Sequence, residues 1–139
     1  MKMRKNHLLT ATILALAALA FAGSARAQVN SEPPGVARLS FVRGDVSVQR
    51  GDSGDTSAVE LNTPLVAGDK VFTGSRSRAE IQLDWANMLR LDENAQADIA
   101  TLESKRIQVQ LSQGLAEFSV LEGSETDVEI DTPNVAINP

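Results

Sequence analysis

Apolar residues in this chain recur with a period of two, at Ile81/Leu83, Leu89/Leu91, Ile107/Val109/Leu111 and Val128/Ile130, with Gln, Arg, Glu or Asp in most of the places between them. A backbone with that period buries one face and wets the other, which describes a strand and excludes a helix. The stretches are spaced by about 8–12 residues, as in all-β sandwiches and barrels. Glycine turns separate them. Gly68-Asp69 and Gly74-Ser75 bracket a short strand at Val71/Phe72, and the run 77–84 then alternates cleanly. The pattern predicts an all-β chain: a compact antiparallel β-sandwich or β-roll of about eight to ten short strands.

Strands are expected over residues 36–42, 46–48, 59–61, 70–72, 79–83, 88–91, 99–102, 107–111, 115–120 and 128–130. Arg43-Gly44-Asp45, between two alternating runs, reads as a hairpin turn rather than an adhesion tripeptide. Residues 50–56 are polar and glycine-rich and read as a mobile loop. Residues 93–102 leave room for a turn of helix. Phe41, Phe72 and Phe118 fall within strands and are assigned to the core. Trp85, the single tryptophan, is read first as a core or half-buried packing residue, with an exposed interface anchor as the competing reading.

The N-terminus has the form of an export signal: Lys2, Arg4 and Lys5, an apolar run over residues 8–21, then Ala25-Arg26-Ala27 as a small-x-small cleavage site. The run is shorter than the roughly 20 residues of a membrane span. The expected organisation is a signal peptide over 1–27, a Pro-rich flexible leader over 28–35, and a β domain over 36–139. The mature protein is expected to be periplasmic or secreted, with no stable membrane insertion. Cleavage removes Lys2, Arg4, Lys5 and Arg26 but no acidic residue, so 13 basic residues fall to 9 against 18 acidic ones and the net charge moves from −5 to −9. An acidic domain without a basic cluster is a poor match to nucleic acid, where Lys and Arg must neutralise phosphates.

The absence of cysteine leaves packing alone to stabilise an exported domain. The only histidine is His7, in the signal, and there is no tyrosine. Ser-His-Asp and Cys-His chemistry and the usual His/Cys zinc sites therefore lack their residues. No carboxylate pair stands out among the 18 acids. No catalytic residue, metal ligand or cofactor is expected. Asp92, Asn94, Gln96, Asp98 and Glu103 follow a calcium-loop spacing, but Ala97 stands where the sharp turn wants glycine and the flanks alternate like strands, which favours a plain polar turn.

The order Pro64-Leu65, Gly68-Asp69, Thr73-Gly74, then Ser77-Arg-Ala-Glu-Ile-Gln-Leu83, resembles the core of the FecR-like domain. Gly44 and Val46 before it, Gly114-Leu115 ahead of the Phe118/Val120 strand, and Thr132-Pro133-Asn134 at the end extend the resemblance over about 36–137. Two features depart from the family pattern: the tryptophan common before the central segment is replaced by Asp55-Thr56-Ser57, and Trp85 stands where members often have an Asp-Gly turn. The resemblance implies a non-enzymatic extracytoplasmic module for protein–protein interaction in envelope sensing or regulation. A glycan- or envelope-polymer-binding module is the alternative. The best-known members carry a cytoplasmic sigma-binding segment and a membrane helix. Here the signal leads almost directly into the domain, so the exported form without that segment is expected.

Trp85, Asn87 and Arg90 are the candidate interaction surface, and Pro64, Gly68, Asp69, Thr73, Gly74, Thr132 and Pro133 the turn and scaffold motif. The partner is expected to be another envelope protein or a cell-wall polymer. At the C-terminus, Val135-Ala136-Ile137 opens an alternation that stops at Pro139, as a fragment of a longer exported protein would, or a terminus that pairs on a sheet edge.

Overall fold

A computed structural model describes residues 34–133 and the backbone of 136–137. The expected signal peptide and most of the leader lie outside these residues. The described residues form twelve strands and no helix: β1 (Ala37–Arg43), β2 (Val46–Gln49), β3 (Thr56–Ala58), β4 (Pro64–Leu65), β5 (Lys70–Thr73), β6 (Arg78–Gln82), β7 (Asn87–Leu91), β8 (Gln96–Leu102), β9 (Arg106–Gln113), β10 (Ala116–Val120), β11 (Asp127–Asp131) and β12 (Ala136–Ile137). They build a sandwich of a five-stranded sheet, β10-β7-β6-β1-β4, and a seven-stranded sheet, β12-β11-β9-β8-β5-β2-β3. The all-β class is as the alternation implies.

The core between the sheets is aliphatic. The five-stranded sheet contributes Leu39, Leu65, Ile81, Leu89 and Leu91, and the other contributes Val48, Val71, Ile99, Ile107, Val109, Val128 and Ile130. Each fully buried side chain of this size stabilises the fold by about 1.5–3 kcal/mol. Every alternating pair seen in the sequence has its apolar members facing this layer, except that Leu111 is only half-buried.

Several local expectations are corrected. Arg43-Gly44-Asp45 is not a hairpin turn, because β1 and β2 belong to different sheets. It is a corner that carries the chain across the sandwich. Gly44 takes φ +76°, and a Cβ there would lie 2.5 Å from the Ser77 hydroxyl, which accepts a 2.8 Å bond from the Asp45 N–H. The corner therefore needs glycine both for its backbone conformation and for space. Residues 59–61 are not a strand. Thr63 closes a turn onto Glu60, its hydroxyl donating to the Glu60 carbonyl at 2.7 Å, and the strand is the exposed β3 just before it. Residues 93–102 hold no helical turn: β8 begins at Gln96.

Phe41 is 47% exposed, and Phe72 and Phe118 are only half-buried, so none of the three sits fully inside the core. The cause at Phe41 is a bulge. β1 pairs with β6 as Leu39↔Ile81 and then Phe41↔Glu80, so one extra residue turns Phe41 to the outer face. The sheets are also not wholly antiparallel. β9 and β11 run parallel, joined through β10 in the opposite sheet. The backbone of β12 pairs antiparallel with β11 at the sheet edge. Before β1, Gly35 donates to the Leu102 carbonyl at 2.8 Å and Pro34 bridges to Glu103, so pairing begins ahead of residue 36.

Candidate interaction surface

Trp85 stands on the turn between β6 and β7. The turn is built on one carboxylate. Asp84 Oδ1 accepts from the backbone N–H groups of Ala86 at 2.8 Å and Asn87 at 2.7 Å, and its Oδ2 accepts from Asn87 Nδ2 at 2.8 Å and the Thr126 hydroxyl at 3.0 Å. Asn87 Nδ2 also donates to the Ser124 hydroxyl at 3.1 Å, and the Leu121 N–H donates to the Ala86 carbonyl at 2.8 Å. Six hydrogen bonds thus lock the turn from below and tie it to the segment after β10. Trp85 is 64% exposed above them. Its reading as a core or half-buried packing residue is overturned. A shallow pocket of about 240 Å³ beside it is lined by Ser104, Lys105, Gly123, Glu125 and Thr126.

Asn87 is corrected in the other direction. It is fully buried, so it presents nothing to a partner. It organises the turn, and its Oδ1 is buried with no hydrogen-bond partner. Burial pushes the Asp84 carboxyl up, but the hydrogen bonds from Asn87, Ala86 and Thr126 together outweigh it and hold it below its ordinary 3.8. A carboxyl held low in the folded state stabilises above its unfolded pKa and loses that contribution as pH falls through the folded value. Asp84→Asn is therefore expected to lower the melting temperature at neutral pH and to make the decline below about pH 4 shallower than in the wild type. Thermal melts from pH 7 downward measure both.

Arg90 lies apart from this turn, on the outer face of the five-stranded sheet. It sits directly across from Glu80 on β6 and Glu117 on β10, bonding the first at 2.7 Å and approaching the second at 3.5 Å. The Ser40 hydroxyl, and next Arg90, hold the Glu80 carboxyl below its ordinary range. Arg90 is thus the centre of a cross-strand ladder, a modest sheet-stabilising device, and its charge is already answered. The sequence reading missed two neighbours. Phe41 and Arg43 line a shallow groove with Ser40, Arg78, Glu80 and Arg90, and among the described residues Arg43 has no ion-pair partner. Only the bulge in β1 places Phe41 there.

The motif residues lie elsewhere, where the sheets are tied together. Asp69 is buried. Its carboxylate accepts from Arg50 Nη1 at 2.7 Å, the Gly51 N–H at 3.1 Å and the Val66 N–H at 3.1 Å. Arg50 also donates to the Pro64 carbonyl at 3.0 Å, and the Gly68 N–H donates to the Ile99 carbonyl at 2.7 Å. Thr73, also buried, donates its hydroxyl to the Asp92 carbonyl at 2.6 Å and accepts from the Ala95 N–H at 2.9 Å, while the Gly74 N–H reaches the Asp45 carbonyl at 2.8 Å. Thr132 and Pro133 follow β11 near the end of the described residues. The calcium-loop residues are engaged with other groups. Asp92 pairs with Arg78 at 3.0 Å, Asp98 with Lys70 at 3.4 Å, and Glu93 accepts from the Arg76 N–H. Among the described residues no cluster of three or more acidic side chains is placed to hold a metal ion.

The family model described as FecR protein matches residues 69–138, from the buried Asp69 through β12. No curated protein and no solved structure gives a match. The match covers half of the 139 residues and takes in strands of both sheets; the chain belongs to the FecR protein family.

Proposed function

We propose that this chain is a non-enzymatic extracytoplasmic module that acts by protein–protein contact in envelope sensing or regulation. The observation that carries the reading is Trp85, held exposed on a turn locked by Asp84, Asn87 and Thr126. A large aromatic presented on a rigid support at little entropic cost is the usual anchor of a protein interface. Membership of the FecR family supports a sensing or regulatory role. The N-terminal signal pattern supports export, and a sequence without cysteine, without tyrosine and with histidine only at His7 supports a role without catalysis. The expected partner is an envelope protein.

The pocket beside Trp85 favours one second reading. An exposed indole next to the charges of Lys105 and Glu125 offers a stacking face and polar contacts to a glycan. Affinity capture from envelope extracts, with wild type and Trp85→Ala as parallel baits, separates the two. Loss of a captured protein in the variant supports the first reading, and loss of retention on peptidoglycan or polysaccharide supports the second. Equal capture by both baits would remove Trp85 from either. Because Trp85 is largely exposed, Trp85→Ala is expected to change stability by no more than about 0.5 kcal/mol, so a loss of capture reads on binding.

A further inference from the structure

Four strands form the edges of the two sheets. β4 and β12 have two residues each and β3 has three, while β10 offers five. β10 pairs with β7 in unbroken register from Ala116↔Leu91 to Val120↔Asn87. Just outside the strand, Asp92 N–H donates to the Leu115 carbonyl at 3.0 Å and Leu121 N–H to the Ala86 carbonyl at 2.8 Å. In an antiparallel ladder the bonded positions alternate. Glu117 and Ser119 therefore turn their backbone groups toward β7, and Ala116, Phe118 and Val120 turn theirs outward. No proline, lysine or bulge blunts this edge, although natural sheets ordinarily protect such an edge.

The run Leu115-Ala-Glu-Phe-Ser-Val-Leu121 has a property of its own. Folded antiparallel against a copy of itself about Phe118, it sets Leu115 opposite Leu121, Ala116 opposite Val120, Glu117 opposite Ser119 and Phe118 opposite Phe118. Every position meets its own chemical kind or a small neutral residue, and the one charge never faces its copy. The residues that such pairing covers are the exposed ones. Leu115 is 69% exposed, and Val120 and Leu121 are each 49% exposed. Self-complementarity about a central residue is what a two-fold, isologous interface requires.

We propose that β10 pairs antiparallel with β10 of a second copy of this chain, joining the two five-stranded sheets into one continuous sheet across a two-fold axis at Phe118. The outward N–H and C=O groups of Ala116, Phe118 and Val120 supply the hydrogen bonds, and Leu115 and Leu121 close the two ends. Sedimentation of the purified protein over a concentration series is the first test, with a reversible monomer–dimer equilibrium expected. Val120→Lys puts a charge opposite Ala116 of the second copy and is expected to weaken the dimer by about tenfold or more. Ala116→Pro removes an outward donor while sparing the β7 ladder and is expected to do the same; a circular dichroism melt shows whether either variant is folded.

A second measurement does not depend on loss of binding. The chain has no cysteine, so Glu117→Cys and Ser119→Cys each carry one thiol. Directly opposed residues of an antiparallel pair lie about 4.5–5.5 Å apart, within the span of a disulfide. Oxidising an equimolar mixture of the two variants is expected to give more covalent dimer than oxidising either alone. A monomeric mass at every concentration would overturn the proposal. So would a dimer untouched by Val120→Lys in which the mixture cross-links no better than the single variants.

Discussion

Asp69→Ala is expected to destabilise the fold by about 3–5 kcal/mol, the range for removing one member of a buried ion pair. The carboxylate is 1% exposed and accepts three hydrogen bonds, from the Arg50 guanidinium and from the N–H groups of Gly51 and Val66. Alanine leaves both part-buried backbone donors without the acceptor that now holds them. Arg50, whose side chain is 32% exposed, can find water, so the two orphaned N–H groups and the lost charge-assisted bonds make up most of the effect. For a domain of about this size each kcal/mol lowers the melting temperature by about 4–8 °C, so the variant should melt about 12 °C or more below the wild type. Asp69→Asn keeps the shape and one acceptor and is expected to lose about half as much. Urea titration of the three proteins measures the series. A loss under about 1 kcal/mol for alanine would mean that the node is a surface contact in solution, because exposed pairs are worth that little.

That node also shows the reach of sequence reading. The alternations at Ile81/Leu83, Leu89/Leu91, Ile107/Val109 and Val128/Ile130 were readable because burial on one face writes itself locally, two residues at a time. Arg50 and Asp69 stand 19 residues apart in sequence, and nothing between them announces that the end of β2 folds back on the start of β5. Read locally, Arg50 belongs to a polar loop. Phe41 fails for a related reason: a single bulge inverts the parity of the residues after it, and parity was the whole of the signal. Trp85 fails because Asp84 bends the chain at the turn, where side-chain period stops applying, whereas Asn87 is buried in phase with Leu89 and Leu91 and was misread for its polar type alone. The parallel pairing of β9 with β11 depends on β10 crossing to the other sheet, which no stretch of either strand records.

Gly51→Ala tests the same node from the backbone side and is the second large expected effect. An added Cβ at residue 51 would lie 2.5 Å from the carbonyl carbon and oxygen of Gly68 and 2.7 Å from its Cα. These are backbone atoms, so no side chain can swing aside. Neither segment is free to retreat, since the Gly68 N–H is bonded to the Ile99 carbonyl at 2.7 Å and the Gly51 N–H to Asp69 Oδ1 at 3.1 Å. The expected loss is about 3 kcal/mol, the upper end for overpacking a well-filled site. To relieve the overlap the 50–56 loop must lift from Gly68, and lifting it breaks the Gly51–Asp69 bond that Asp69→Ala also removes. The two substitutions therefore share part of their effect, and the double variant should fall short of the sum of the single losses by about 1 kcal/mol or more. A thermodynamic cycle from urea melts of the four proteins reads this directly. Strict additivity would show that Gly51 and Asp69 stabilise the fold independently; coupling would show that the close approach of two glycines exists to bring a backbone donor to the buried carboxylate.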